Sequence, residues 1–158
     1  MSERFPITPE GYKKLCNNLE ILKTKERPAV TQAIAEARAH GDLSENAEYH
    51  AAREKQGFVE AKILDLENKV SKAEIIEISE LSGDQIKFGA TVLLLDEDSD
   101  EKVQYKIVGD YESDIEKGYI SISSPLAKAL LGKKVGDNIE VFTPKGQKYY
   151  EVLQLQFK

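Results

Sequence analysis

The sequence predicts an α+β protein: a long helical hairpin, then a small antiparallel sheet domain with one short helix. Three observations lead there. Up to about residue 76 the apolar residues recur at spacings of three and four, whereas beyond it they gather into short β-branched and aromatic runs separated by turn residues. The helical part is interrupted once, at residues 40–49, by the polar decapeptide HGDLSENAEY. At 158 residues the chain is long enough for one domain or two small ones, and the change of texture divides it into 1–76 and 77–158.

The first helix is expected from Thr8 to about His40, with its seam at Tyr12, Leu15, Leu19, Leu22, Val30, Ala33 and Ala37 and a gap at Glu26. Thr8 and Pro9 suit an N-cap and a first turn, and Glu10 suits the positive end of the helix dipole. Pro28 lies inside the element, where the missing N–H and the ring clash predict a kink. Cys16, the single cysteine, is expected as a small core residue. Gly41 suits a residue of positive φ that ends the helix.

In the second helix Tyr49, Ala52, Gln56, Val59, Ile63, Leu66, Val70 and Ala73 form a continuous seam, and a second stripe of Ala51, Phe58, Ala61 and Leu64 predicts a wider apolar face. So short a connection between two helices of roughly 30 residues forces them antiparallel, over a length near 45 to 50 Å at ~1.5 Å per residue. Alanines near the tip predict a slim end. After residue 76, the runs EIIEI, GATVLLLD, KVQYKIVG, GYISIS, NIEVFTP and KYYEVLQLQF predict about five antiparallel strands. Between them SSPLAKALLG carries a serine cap, a first-turn proline and a closing glycine, the marks of one short helix.

The 22 basic and 28 acidic residues leave a net charge of −6, which argues against nucleic-acid binding through a general basic surface. Residues 1–76 hold 12 basic and 13 acidic side chains and residues 77–158 hold 10 and 15, so the acidity is concentrated in the second part. The sequence contains no apolar run long enough for a membrane span, and its first residues lack the apolar core of a signal peptide. A cytoplasmic protein with no membrane partner is expected.

The tip has the best candidate chemistry. Asp42 and Glu45 stand three residues apart where the second helix starts, so both carboxylates can project from one side. Two hard oxygen donors suit Mg²⁺, which takes one or two protein carboxylates and completes its shell with water and phosphate. The same spacing also fits a capping box, with Asp42 accepting an amide and Glu45 reaching back, and Ser44 is a rival cap. His40 and His50 have no metal-ligand spacing. Arg38, Arg53 and Lys55 flank the tip and are candidates for phosphate contacts to RNA, or simply solvated charges. Asn46 is a candidate for orienting water, ion or RNA, and Tyr49 either stacks on a base or begins the seam.

Four blocks carry a family resemblance: IAEARAHGDLSENAEYHAAREKQGF at 34–58, FGATV at 88–92, YKIVGD at 105–110 and SISSPLAKALLGK at 121–133. On these the chain resembles the bacterial Gre family of transcript cleavage factors, its GreA type most closely, with both tip acids present. The resemblance implies an N-terminal coiled-coil hairpin with its acidic tip at 41–46, and an FKBP-like domain at 77–158 that docks at the secondary channel of bacterial RNA polymerase. It further implies that the tip enters the channel, where Asp42 and Glu45 help hold a Mg²⁺ shared with the polymerase's catalytic centre. The 3′ end of backtracked nascent RNA is hydrolysed there.

On this reading the protein is a monomer and no nuclease by itself. It holds no Mg²⁺ tightly when isolated, and it stimulates a reaction that belongs to the polymerase. Two other readings stay open: a channel-binding regulator that does not promote cleavage, and a peptidyl-prolyl isomerase or chaperone suggested by the implied fold of the second domain. Fold alone does not carry that activity, and the chain has no tryptophan to floor a proline pocket.

Overall fold

The computed structural model of the chain describes residues 3–158, so the first two residues of the expected 1–76 segment lie outside the described residues. It divides into a helical unit, Tyr12–Ala73, and a second unit made of Glu3–Gly11 with Glu74–Lys158. The change of texture near residue 76 puts residues 3–11 with the hairpin. They group with the sheet unit because strand β1 (Phe5–Ile7), which the sequence did not suggest, joins β2 (Ala73–Ile75) in a two-stranded sheet. The Ile76 amide also donates to the Ile7 carbonyl at 2.9 Å.

Helix α1 (Pro9–Ile21) starts as expected, with Thr8 Oγ1 accepting from the Gly11 amide at 3.0 Å. Glu112 secures this start. Its carboxylate accepts from the Thr8 amide at 3.1 Å, from the Thr8 hydroxyl and from the Gly109 amide at 2.8 Å. A Cβ at residue 11 would overlap that carboxylate, so a larger residue there would push Glu112 out of these bonds. Thr8 is only 4% exposed, so Glu112→Ala strands buried donors. The expected cost is about 1–3 kcal/mol, read as a lower melting temperature of the sheet unit.

In the helical unit, α2 (Arg27–Arg38) packs against α3 (Ala47–Lys72). The ladder of contacts Lys23 to Glu67, Arg27 to Glu60 and Ala37 to Asn46 shows that the chains run antiparallel. Arg27 meets Glu60 through two bonds of 2.9 Å; so exposed a pair adds little stability but helps set register. Every residue of the expected second seam, from Tyr49 to Ala73, is buried or half-buried, with Val59 and Ile63 at the centre against Val30.

Three expectations for this unit are corrected. Ala33 is exposed and Ile34 packs in its place. The second stripe does not widen the buried face: Ala51 and Ala61 are exposed, Phe58 is 61% and Leu64 71% exposed, because the single facing helix covers only one seam. Cys16 is half-buried rather than fully enclosed.

The break in the first helix falls before Pro28, as a π-helical turn over Leu22–Glu26 in which the Arg27 amide bonds back to the Leu22 carbonyl. The seam runs Leu22, Glu26, Val30, Ile34, three successive steps of four. On an α-helix these would drift by ~120° away from the partner. The wider turn takes up that drift. It also lets α2 begin at Arg27, so that Pro28 lies in a first turn where its missing N–H is harmless.

The sheet unit is built from β3 (Ala90–Asp96), β4 (Lys102–Val108), β5 (Tyr119–Ser121), β6 (Asn138–Thr143) and β7 (Gly146–Phe157), in the order β5-β4-β3-β7-β6. The last five expected strand runs supply these five strands. EIIEI instead contributes to β2, outside this sheet. Four strands are antiparallel neighbours, but β5 pairs with β4 in parallel, since the chain crosses over between Val108 and Tyr119 instead of turning back in a hairpin. Helix α4 (Pro125–Leu130) is capped by Ser124, whose hydroxyl accepts from the Ala127 amide at 3.2 Å. Ala127 and Leu130 seal one face of the sheet over Val92, Leu94, Ile107 and Val152, all fully buried.

Two of the quoted sequence blocks meet at Asp110, whose Oδ1 accepts from the hydroxyls of Ser121 and Ser123. The Ser121 bond first, then that of Ser123, holds this carboxyl below its ordinary range. A carboxyl depressed in the folded state stabilises above its unfolded value, about 3.9, and loses that contribution as pH falls through the lower folded value. The stability difference between the parent and Asp110→Asn is therefore expected to be largest near neutral pH and to shrink below about pH 4, as read from urea melts across pH.

Candidate functional site

The closed end of the hairpin is shaped by two short connections. After Arg38 the chain leaves α2, passes Ala39 and His40, and turns at Gly41, whose φ of 143° is readily adopted only by glycine. Asp42 then caps a single 3₁₀ turn, Leu43–Glu45, by accepting from the Ser44 amide and the Ser44 hydroxyl, both at 3.1 Å. The second helix begins later than the sequence suggests, at Ala47, and its cap is Asn46, whose Oδ1 accepts from the Tyr49 amide at 3.0 Å.

The capping box is thus not formed. Asp42 caps a different turn, and the Glu45 carboxylate makes no hydrogen bond or ion pair with the described residues. Asp42 and Glu45 are both exposed, and together they line an open depression of about 540 Å³ with His40, Gly41, Asn46, Ala47 and Glu48. Because Ser44 holds Oδ1 of Asp42, Oδ2 is left for an outside ligand, as are both oxygens of Glu45. Glu48 is a third carboxylate on the same depression, in the first turn of α3 where the helix dipole favours negative charge. Its spacing of three from Glu45 is the one signal of it in the sequence.

This donor set fits a hard divalent cation that completes its shell elsewhere: one free oxygen of Asp42 and the free carboxylate of Glu45 on an open, water-accessible turn. Among the described residues no group of three or more His, Cys, Asp or Glu side chains is placed to enclose a metal by itself.

The basic candidates are divided. Arg38 is exposed in the last turn of α2, where its charge complements the helix dipole. Arg53 is exposed, and its Nη1 lies 3.4 Å from the Tyr49 hydroxyl. Lys55 is exposed beside Phe58 on an open groove of the helical unit. Tyr49 is half-buried and edge-on to His50, so packing occupies it. His50 Nε2 lies 3.4 Å from the Ser44 carbonyl.

A family model described as "Transcription elongation factor, N-terminal" matches residues 5–75, and one described as "Transcription elongation factor, GreA/GreB, C-term" matches residues 81–157. The chain belongs to the GreA/GreB family of transcription elongation factors. Among its Gre relatives, transcription elongation factor GreA of Rickettsia canadensis is 60% identical over 158 residues, covering 100% of this chain and 98% of that protein. Its counterpart from Rhodospirillum rubrum is 58% identical over 155 residues, covering 98% and 99%. GreA factor homolog 1 of Thermus thermophilus, a crystal structure, is 31% identical, with coverage of 98% and 99% and a TM-score of 0.45. No described helix of this Gre chain is long and apolar enough to cross a membrane.

Proposed function

We propose that this Gre protein inserts the tip of its hairpin into the secondary channel of bacterial RNA polymerase and stimulates the polymerase's Mg²⁺-dependent hydrolysis of backtracked nascent RNA. The observation that carries this reading is the pair of carboxylates, Asp42 and Glu45, exposed on a turn that uses neither Asp42 Oδ2 nor any oxygen of Glu45 for its own folding. Membership of an elongation-factor family supports it and makes the polymerase the partner. The protein acts as a monomer, and Mg²⁺ is held jointly with the polymerase rather than by the isolated chain.

The ion, when bound, supplies Lewis-acid activation of water and neutralises charge on the phosphodiester. The chain's own residues perform simpler tasks. Asp42, with Oδ1 fixed by Ser44, presents Oδ2 in one direction. Glu45 presents a free carboxylate from the same depression. Paired helices keep both acids at the closed end of the hairpin; α3 alone, at 26 residues, is ~39 Å long. Arg38, Arg53 and Lys55 are exposed on the flanks, where they would contact phosphates of the extruded RNA.

The test is cleavage of labelled RNA in a deliberately backtracked elongation complex, with and without the protein. Shortened 5′ fragments in its presence, with no cleavage of free RNA by the protein alone, support the reading. Binding without cleavage would replace it with a non-cleaving channel regulator.

A further inference from the structure

We infer that Asn46 is a positioning residue for the cleavage reaction, setting the tip carboxylates by clamping the two helices on either side of them; this rests on the function proposed above. Its side chain is bonded at both ends. Oδ1 accepts from the Tyr49 amide at 3.0 Å, capping the start of α3, and Nδ2 donates to the Ala37 carbonyl at 2.6 Å, at the end of α2. Tyr49 offers only a donor and Ala37 only an acceptor, so a single orientation of the amide satisfies both. The Ala37 carbonyl also accepts from the His40 amide at 3.1 Å, and Ala37 is 3% exposed, so this bond lies at the buried edge of the tip.

One amide therefore closes a loop that contains Gly41, Asp42, Ser44 and Glu45. Ser44 fixes the Asp42 carboxylate only relative to its own turn. The bond from Asn46 to Ala37 ties that turn back to the opposite helix. The two comparable caps do not do the same. Aspartate and serine cap a helix as well as asparagine, but aspartate would face the Ala37 carbonyl with a second acceptor, and serine is too short to reach it. Asn46 thus couples helix capping to tip geometry, and the two roles are separable by substitution.

The experiment compares Asn46→Ser and Asn46→Asp with the parent in the backtracked-complex assay, varying the concentrations of factor and Mg²⁺. Both retain the α3 cap, so helicity is expected to stay close to the parent and melting to fall by no more than the few degrees that one lost hydrogen bond costs. Misplacement of catalytic groups by ~1 Å costs on the order of 100-fold. The maximal stimulated rate is accordingly expected to fall about 10- to 100-fold in both variants, with an unchanged factor concentration for half-maximal effect and a raised Mg²⁺ requirement. A merely structural role would lower melting temperature and leave the Mg²⁺ requirement of the folded protein alone.

Parent-like maximal rates in both variants overturn the inference. So does a loss of rate that tracks early melting, or one that appears only as weaker binding, the signature of an RNA contact. If the parent promotes no cleavage, or if the variant lacking both tip acids cleaves as the parent does, the underlying function fails instead. Loss of cleavage in that acid-free variant, alongside full rate in Asn46→Ser, sinks the positioning role alone.

Discussion

The protein carrying both Asp42→Asn and Glu45→Gln is expected to fold and to bind RNA polymerase like the parent while leaving backtracked RNA uncut. The asparagine oxygen can accept from the Ser44 amide and hydroxyl as the Asp42 carboxylate does, and asparagine is as good a cap as aspartate. Glu45 makes no bond that glutamine would break. Helicity should therefore not change, and melting should shift by no more than the few degrees that correspond to about 1 kcal/mol. Both negative charges are gone, however, and with them most of the attraction for a hard divalent ion.

Stimulated cleavage is expected to drop by about 100-fold or more, beyond what loss of a metal site's outer hydrogen bonds costs. In a mixture, the double variant should inhibit the parent by occupying the same channel. Raising Mg²⁺ should partly restore each single variant by mass action and the double variant less. A double variant that melts early but cleaves at full rate when folded would assign Asp42 and Glu45 to structure alone.

A second large effect is expected from Leu94→Ala. Leu94 is 0% exposed on β3, which is hydrogen-bonded on both sides, opposite Val103 on β4 and Val152 on β7. The register with β7 shifts between Leu93 and Leu94, where Leu153 is the extra residue, so the irregularity beside Leu94 belongs to β7. Truncation there should cost about 3–5 kcal/mol. For a unit of this size that lowers the melting temperature by on the order of 15–30 °C, as differential scanning calorimetry would record. Tip chemistry below the transition should be unaffected, so cleavage at low temperature should remain while its upper temperature limit falls. A shift below about 5 °C would show that α4 collapses onto the vacancy.

Elements set by neighbouring residues were readable from sequence: the Thr8 and Ser124 caps, the α3 seam and the five strands of the main sheet all follow from local pattern. What escaped depends on distant partners. Phe5–Ile7 becomes a strand only because β2 lies beside it, and the parallel pairing of β5 is a property of the crossover, invisible in the run GYISIS. Phe58 and Leu64 carry a helical period that no described element covers.

At the tip, three side chains within five residues could each have capped a helix, and spacing cannot rank them. Asn46 won because Ala37, nine positions away, supplied its second bond. That both acids lie exposed at the tip was legible; that neither caps α3 was not.

The π turn at Leu22–Glu26 separates two quantities that an uninterrupted helix would lock together. On a regular α-helix every added residue lengthens the element by ~1.5 Å and also rotates everything beyond it by ~100°. A wide turn absorbs one residue's worth of rotation while the helix keeps advancing. The segment bearing Val30 and Ala37 thereby keeps its aim at α3 although its spacing from Leu22 is out of phase. Deleting one residue within 22–26 would leave a regular helix with the same aim, whereas a regular helix of unchanged length would turn Val30 and Ala37 away from α3. The hairpin's reach and the direction in which its acids point can in this way be adjusted separately, one by length and the other by phase.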